Sequence, residues 1–281
     1  MRERIAFVGR AVVDLTVRVP ERAAPGRAAY GGPLVATAGG KAVNQAYAAA
    51  RLGADAGLVA NAGADHWGDL IVRSLDGVNL DGFRLLPGVP TGAAIIEVTP
   101  DGESYVTLAL SEGAELRAEH VRAALRRRTA EIVVCQLDLP PEALGGLPRP
   151  RLLVGNLIPR DPSVLSTLDL FVVNVFEAAA VLGAAVTDPA EAAEGLRDLG
   201  IPAVVVTAGA DGAVLSDRDG TKRVPAPAVE VVDTTGAGDA FLGALTAGLA
   251  AGRPLAAAVE AATVIGSRAV QHAGARAAAR G

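Results

Sequence analysis

Short runs of apolar, mostly β-branched residues alternate with alanine-rich stretches along most of the chain. The apolar runs are RIAFV (4–8), AGLVANAG (56–63), EIVVCQ (131–136), RLLVGN (151–156), LFVVN (170–174) and AVVVT (203–207). Their length and continuous hydrophobicity are typical of strands buried on both faces of a parallel sheet. Helices are predicted between them, over 42–52, 118–128, 176–182 and 190–199. This alternation predicts an α/β fold with a doubly wound, mostly parallel sheet flanked by helices.

Two further stretches alternate apolar and polar residues, which is typical of strands with one solvated face. They are DLTVRV (14–19) and much of TGAAIIEVTPDGESYVTLAL (91–110), in which Asp101 and Gly102 form a strong hairpin signal. Both stretches interrupt the main sheet in chain order. We therefore predict a small β-sheet lid, inserted at about 12–37 and 91–110 into a single α/β domain over 1–281.

Composition narrows the choice of partners and compartment. Hydrophobic residues make up 51% of the chain and aromatic residues 3%, so an aliphatic core built from Ala, Val and Leu is expected. The net charge of −5 and the lack of a dense Lys/Arg run argue against nucleic acid or a membrane surface as a partner. Cys135 is the only cysteine, which excludes an internal disulfide and is typical of a reducing compartment. We expect a cytoplasmic enzyme.

The segment DTTGAGDAF (233–241) stands just before an apolar stretch with a helical pattern. Gly236 and Gly238 permit a tight turn, and the amides of Gly236, Ala237 and Gly238 would point outward at the helix N-terminus, where anions bind. Asp239 beside them could accept the proton of a hydroxyl whose oxygen attacks a phosphoryl group. From spacing alone, a glycine-rich turn whose aspartate caps the helix explains the pattern equally well.

A second motif, AGGKAVNQA (38–46), places Gly39 and Gly40 ahead of another predicted helix. Lys41 and Asn44 are three residues apart, so they share one face of its first turn and could both reach a polyhydroxylated ligand. The segment is not a Walker A loop, because Ala42 occupies the Ser/Thr position and the earlier glycine is missing. A solvated lysine and a capping asparagine remain the alternative.

A third motif, VNVFE (173–177), puts Asn174 at the end of a predicted strand and Glu177 three residues later. At the carboxyl edge of a sheet, this amide and carboxylate could orient Mg²⁺ through water. A helix-capping asparagine followed by an acidic first turn has the same pattern.

A fourth segment, VTAGADGA (206–213), carries a predicted strand into a turn with spaced glycines. Such a turn allows close approach of the backbone to a nucleotide. An ordinary loop is the alternative.

Taken together, the order and spacing of these motifs resemble the ribokinase-like family of carbohydrate kinases, also called the phosphofructokinase-B family. The matching features, from about Ile5 to Ala275, are Asp14 after the first strand, GGKxxN, NxxE, TxGxxG, DTTGAGD, GADHWG (63–68), PTG (90–92) and HAGA (272–275). DTTGAGD is the most specific of them. The resemblance implies the ribokinase-like fold and an ATP-dependent kinase that phosphorylates a hydroxyl of a small sugar, with a nucleoside as the nearest alternative acceptor.

The resemblance also implies a role for each matched residue. Asp239 would be the base, and the Gly236, Ala237 and Gly238 amides the anion hole. The sugar-binding positions would be Asp14, Gly39, Gly40, Lys41, Asn44 and Asp138. The ATP site would include Asn174, Thr207, Gly209 and Gly212, with Glu177 holding Mg²⁺ through water. Asp233 and Thr235 match the region where many members bind a monovalent cation such as K⁺.

The chain departs from the family mainly around the sugar. Val12 stands where close ribokinases have asparagine, and Ala42 follows GGK in place of glycine. Asp138 replaces a glutamate, and Thr263 replaces a larger polar residue beside the adenine. The motifs for phosphoryl transfer are therefore intact while the sugar pocket is altered, which predicts that D-ribose is a poor substrate.

Two other classes of function fit the sequence less well. Nucleotide-dependent oxidoreduction would require GxGxxG after the first strand, where FVGRAVVD (7–14) stands instead. A non-catalytic sugar sensor would have no need of the base Asp239. His66, His120 and His272 are too far apart in sequence to indicate a transition-metal site. The apolar face of the lid is expected to be buried in a homodimer formed through the lid strands.

Overall fold

The computed structural model describes residues 3–272 and 274; Ala273 and Ala275 of the HAGA segment, and the two ends of the predicted domain, lie outside this range. The strands are β1 Arg4–Val8, β2 Val12–Arg18, β3 Val35–Gly39, β4 Asp55–Gly63, β5 Asn79–Leu86, β6 Gly92–Val98, β7 Ser104–Ala109, β8 Ile132–Gln136, β9 Leu152–Asn156, β10 Leu170–Asn174, β11 Val204–Thr207, β12 Ala213–Asp217 and β13 Gly220–Val224. The α-helices are α1 Lys41–Arg51, α2 His66–Arg73, α3 Ala118–Arg127, α4 Pro141–Leu144, α5 Val175–Leu182, α6 Pro189–Asp198, α7 Ala237–Ala250 and α8 Leu255–Ala269. Within the described ranges, no helix is both long and apolar enough to cross a membrane.

The main sheet has nine strands in the spatial order β13-β12-β11-β10-β9-β8-β1-β4-β5. In this spatial order, every pair of neighbouring strands from β11 to β5 is parallel. Strand β12 pairs antiparallel with β11, and β13 pairs antiparallel with β12. All six predicted buried strands lie in it, so the doubly wound, mostly parallel sheet is confirmed. The chain winds from β1 toward β5 on one side and from β8 toward β13 on the other. Strand order therefore reverses between β1 and β8, where ligands bind in such sheets.

Helices cover both faces of this sheet. Ile5 and Phe7 of β1 belong to the core layer shared with α1, α7 and α8, while Ala6 and Val8 belong to the opposite layer with α3, α5 and α6. Burial on both faces explains the continuous hydrophobic runs of these strands. Cys135 lies within β8 with no exposed surface, and burial raises the pKa of its thiol to about 12. A thiol in this state is an inert part of the core.

The second sheet has four strands in the order β3-β2-β6-β7 and is separate from the first, as predicted for the lid. Strands β2 and β6 are parallel, and each has an antiparallel partner on its outer side. Strands β2 and β3 contact α2. The face that carries Asp14 differs from the solvated polar face that the alternating pattern predicted, because Val35, Val106 and Leu108 on it are exposed apolar residues.

Helices α1 and α7 pack closely against each other in the core layer. A Cβ atom on Gly243 of α7 would come within 2.7 Å of the Gln45 carbonyl oxygen and within 2.7 Å of the Ala48 Cβ atom of α1. Only glycine therefore allows this approach. The same packing brings Asp239 near the start of α7 against Asn44 and Gln45 of α1, so two of the predicted motifs meet.

Candidate active site

Asp239 is held by two side chains of α1. Asn44 Nδ2 donates to one carboxylate oxygen at 3.2 Å, and Gln45 Nε2 donates to the other at 3.0 Å. All three residues are buried, with 7% of Asp239 exposed. Asp239 is the third residue of α7, and the N-cap residue Gly236 precedes it, so its side chain does not cap the helix. The structure thus favours the first of the two interpretations of this aspartate, a carboxylate fixed at a helix N-terminus.

Gln45 was not among the predicted site residues. It follows Asn44 directly and lies four residues after Lys41, so helical spacing places it on the same side of the first turns of α1 as Lys41. That spacing was the available signal. Asn44 likewise is no helix cap, because its amide reaches Asp239 and not a backbone group.

The N-terminus of α7 forms around Gly236, whose φ of 79° lies in the left-handed region that glycine favours. The Ala237 amide donates to the Thr234 carbonyl at 3.2 Å, so one of the three amides predicted for the anion hole is already engaged in the turn. Gly238 has open space on its Cβ side. First-turn amides have no acceptor within their own helix, which leaves those of Gly238 and Asp239 as the better candidates for holding an anion.

The Lys41 amine interacts electrostatically with the carboxylates of three predicted site residues. The pKa of the Lys41 amine is raised above its ordinary value, mainly because the amine is attracted to the Asp239 carboxylate. Glu177 and Asp138 make smaller contributions in the same direction, and loss of solvation opposes them. The amine therefore remains an ammonium at neutral pH. Its position among three carboxylates brings the predicted base, the predicted Mg²⁺ residue and a predicted sugar residue into one electrostatic neighbourhood.

The paired glycines pack against two different segments, Gly39 against Asp14 and Gly40 against Arg10. A Cβ atom on Gly39 would overlap the Asp14 carboxylate, and one on Gly40 would lie 2.5 Å from the Arg10 carbonyl oxygen. Gly40 also has a φ of +96°. Gly40 is therefore required by close packing and by its backbone conformation, while Gly39 makes room for the carboxylate of Asp14.

We expect Gly39→Ala to displace the Asp14 carboxylate and to raise the Michaelis constant for the phosphoryl acceptor by about tenfold. The effect on stability should be small, because the contacted atoms are the flexible end of the Asp14 side chain. The matched control is Gly145→Ala, because a Cβ there would lie an ordinary 3.5 Å from its nearest neighbour and the backbone φ is −61°. Steady-state kinetics and thermal melting measure the two effects. An unchanged Michaelis constant in a folded Gly39→Ala variant would remove Asp14 from acceptor binding.

Asp138 follows β8 and pairs with Arg10, which follows β1. Arg10 Nη1 lies 2.5 Å from Asp138 Oδ2, and Arg10 Nη2 donates to the Asp138 carbonyl at 3.0 Å. The other carboxylate oxygen of Asp138 is buried and has no partner among the described residues. Arg10, like Gln45, was not predicted as a site residue. No periodicity marks it, because its partner is 128 residues away.

Asn174 and Glu177 form a capping box at the start of α5. Asn174 Oδ1 accepts from the Glu177 amide at 2.8 Å, and Glu177 Oε2 accepts from the Asn174 amide at 3.0 Å. The capping interpretation is therefore correct for these atoms. Glu177 Oε1 takes no part in the capping box, and this carboxylate is close enough to Lys41 to affect the pKa of the amine. The Mg²⁺ role of Glu177 stays a prediction. Residues 3–272 and 274 contain no cluster of three His, Cys, Asp or Glu side chains that could hold a metal directly.

Thr207, Gly209 and Gly212 lie at the turn between β11 and β12. Asn174 and Thr207 are directly opposite each other in the pairing of β10 with β11, so the predicted ATP residues occupy neighbouring strand ends. Gly212 has a packing role, because a Cβ there would overlap the Val224 carbonyl. Gly209, with a φ of 57° and open space around it, is the better candidate for close approach by a nucleotide.

Asp233 and Thr235 form a separate set of contacts. The Asp233 carboxylate accepts from the Thr235 amide at 2.9 Å and from the Gly274 amide at 2.8 Å. Burial acts to raise the pKa of Asp233, but hydrogen bonds from Thr235 and Gly274 outweigh it and hold the pKa below its ordinary value. A cation here would have to use the remaining lone pairs of the carboxylate and nearby carbonyl groups. The monovalent cation stays a prediction.

The chain matches known proteins over most of its length. The model of the pfkB family carbohydrate kinases matches residues 2–143 and 155–280. Mouse ribokinase is 32% identical over 254 residues, covering 83% of this chain and 77% of the mouse protein. Deoxyribokinase of Salmonella typhi is 30% identical, covering 85% and 83% of the two chains. The structure of Arabidopsis thaliana ribokinase complexed with ribose and ATP superimposes with a TM-score of 0.83 at 25% identity, covering 99% of this chain and 96% of the other.

Proposed function

Since this chain belongs to the pfkB family of carbohydrate kinases, we propose that Asp239 is its catalytic base and that a small neutral sugar is its acceptor. The chain is an ATP-dependent kinase of a sugar or nucleoside, a phosphotransferase with an alcohol group as acceptor. The residue roles and the choice of acceptor are the proposal. The observation that supports it most is the buried Asp239 carboxylate, held by Asn44 and Gln45 beside the N-terminus of α7.

The proposed transfer uses these groups together. The acceptor oxygen attacks the γ-phosphorus of ATP, the bond to the bridging oxygen of ADP breaks, and Asp239 takes the hydroxyl proton. Free amides at the start of α7 and the Lys41 ammonium face the negative charge that spreads over the transferred group. Mg²⁺, when bound with ATP near Glu177, would neutralise phosphate charge. The protein's own contribution is to position the acceptor, the base and the charged groups.

Acceptor binding is assigned to the polar groups around this base. Asp14 on β2 belongs to the lid, and Asp138 follows β8 of the main sheet. The buried Asn44 Oδ1 has no partner among the described residues. Buried acceptors of this kind require donors, which sugar hydroxyls supply. The nucleoside alternative is distinguished from a sugar by experiment.

A coupled ADP-release assay over pentoses, deoxypentoses, hexoses, ketoses and nucleosides tests the proposal. Acceptor-dependent ADP release with a sugar supports it, and preference for a nucleoside replaces the sugar with the alternative. ATP consumption that no acceptor stimulates would overturn the proposed function.

We further propose that the lid closes over the acceptor and that two copies of the chain associate through their lids. Asp14, Ala94 and Leu108 lie in register across β2, β6 and β7, so they share one face of the lid. Val35, Val106 and Leu108 on that face are each more than half exposed, at 54%, 56% and 56%. Exposed apolar surface of this kind is typical of interfaces.

We therefore expect a dimer at micromolar concentration in small-angle scattering. Leu108→Lys should dissociate it, because a charge would be buried against an apolar surface. Thr107→Lys is the matched control, since Thr107 pairs with Ile95 and points to the opposite face. A monomeric wild-type protein, or equal dissociation by both variants, would contradict association through this face.

A further inference from the structure

Arg10 occupies the point where strand order reverses in the main sheet. Its backbone is fixed from two sides, because its amide donates to Gln136 Oε1 at 2.5 Å and its carbonyl faces Gly40. A Cβ atom on Gly9 would overlap the Gln136 side chain, so this segment tolerates no side chain at that position. The backbone from which the Arg10 side chain extends is therefore held in place at the carboxyl ends of β1 and β8.

The guanidinium of Arg10 binds two carboxylates at once. It contacts Asp138 through Nη1 at 2.5 Å, and it donates to Glu115 Oε1 from Nε at 3.3 Å and from Nη2 at 3.1 Å. The Arg10 side chain is 13% exposed. Arg160 contributes a more distant charge, 3.8 Å from Glu115. The cluster thus holds two positive and two negative charges. The positive charge of Arg10 is neutralised by Asp138 and Glu115 within the protein.

This pairing engages one oxygen of Asp138 and leaves the other, which is buried, without a partner. A planar guanidinium that also binds the backbone carbonyl of Asp138 restricts rotation of this carboxylate. A buried hydrogen-bond acceptor without a donor destabilises the protein. A ligand that donates to the free oxygen of Asp138 would remove this cost.

We infer that Arg10 is a positioning residue, which holds Asp138 so that its free oxygen accepts a hydrogen bond from the acceptor substrate. Because Asp138 and Glu115 already neutralise Arg10, the part of the substrate that binds here carries hydroxyl groups and no acidic group. This inference rests on the proposed sugar kinase function and narrows its substrate class to neutral polyols.

The test is a double-mutant cycle with Arg10→Met, Asp138→Asn and the combined variant. Steady-state kinetics use the best acceptor from the ADP-release assay. We expect Arg10→Met to raise the Michaelis constant for that acceptor by about tenfold or more, as for loss of a hydrogen bond to a charged group. The Michaelis constant for ATP should stay within about twofold. The double variant should be no worse than Asp138→Asn alone, since both changes remove the same contact.

Arg160→Met and Arg10→Lys complete the design. Arg160 also neighbours Glu115 but is 49% exposed, so its replacement should leave the acceptor constant unchanged. Arg10→Lys keeps the charge and should restore part of the affinity, which keeps the test decisive if Arg10→Met does not fold. Sugar acids, compared with the corresponding neutral sugars, should be at least about tenfold poorer acceptors.

Each adverse result identifies what has failed. Additive effects of Arg10→Met and Asp138→Asn, or equal effects on the constants for ATP and acceptor, would show that Arg10 does not act through Asp138. Sugar acids that match neutral sugars would overturn the assignment of substrate class. If wild-type protein phosphorylates none of the acceptors, the proposed function itself fails. If it phosphorylates one and Arg10→Met is unchanged, only the inference about Arg10 fails.

Discussion

Replacing Asp239 by asparagine is expected to lower kcat by about 10²–10⁴-fold, the range typical of general-base catalysis. An amide cannot take the hydroxyl proton, whatever its position. The substitution preserves size and shape in a buried site. It also turns one of the oxygens that accept from Asn44 and Gln45 into a donor, so one of those side chains must reorient. ATP affinity should remain close to that of the wild-type protein.

The measurements are kcat with the best acceptor, ATP affinity by calorimetry and thermal melting. Asp219→Asn is the matched control, because it makes the same chemical change on a side chain that is 82% exposed. A folded Asp239→Asn variant that turns over at a near-normal rate would remove Asp239 from the mechanism.

D-Ribose is expected to be a poor acceptor because of Val12. This residue begins β2 and is 5% exposed, and it lines a cavity of about 20 Å³ together with Arg10, Asn61 and Gly92. If Asp14 binds one pair of hydroxyls, another ribose hydroxyl meets the Val12 methyl groups without a partner. An unsatisfied buried hydroxyl costs roughly 1–3 kcal/mol, or about 5- to 150-fold in binding. A sugar that lacks or displaces this hydroxyl should be preferred.

Val12→Asn should therefore gain activity on ribose relative to the preferred acceptor. Val12→Ala is the control, since it enlarges the cavity without adding a hydrogen-bonding group. The ratio of kcat/KM values for the two acceptors is the quantity to compare. Wild-type activity on ribose of ~10⁴ M⁻¹s⁻¹ or more, unchanged by Val12→Asn, would show that Val12 does not select the acceptor.

The strands predicted from sequence are those whose burial leaves a clear pattern. The six apolar runs appear as β1, β4, β8, β9, β10 and β11, because strands covered on both faces need hydrophobic residues throughout. Strands β5, β12 and β13 were not predicted. β5 and β13 lie at edges of the sheet, and GTKRV of β13 is exposed except at Val224, so neither carries such a run. β12 is buried, but its apolar run is only three residues long before Ser216 and Asp217. Helix α2 is only eight residues long and follows its cap Asp65, a signal too brief to stand out.

The residues of the site were predictable where chain-local geometry determines them. Glycines before a helical pattern located Asp239, Lys41 and Asn44, since helix N-termini have a recognisable sequence. The partners of Asp239 and Asp138 depend on packing between distant segments. Asn44 and Gln45 reach Asp239 because Gly243 lets α7 approach α1, and Arg10 reaches Asp138 because β1 and β8 are neighbours. The local sequence marks Gln45 only by its spacing from Lys41, and it encodes neither of these long-range contacts.

The small sheet and the packed helix pair α1 and α7 divide the proposed tasks of the enzyme between them. Val12 and Asp14 lie on β2 of the small sheet, whereas Asp239, Asn44 and Gln45 belong to the packed helix pair α1 and α7. A mutation on β2 can thus change which alcohol enters while the α1–α7 contact stays as it is. Libraries aimed at new acceptors are best confined to the same strand.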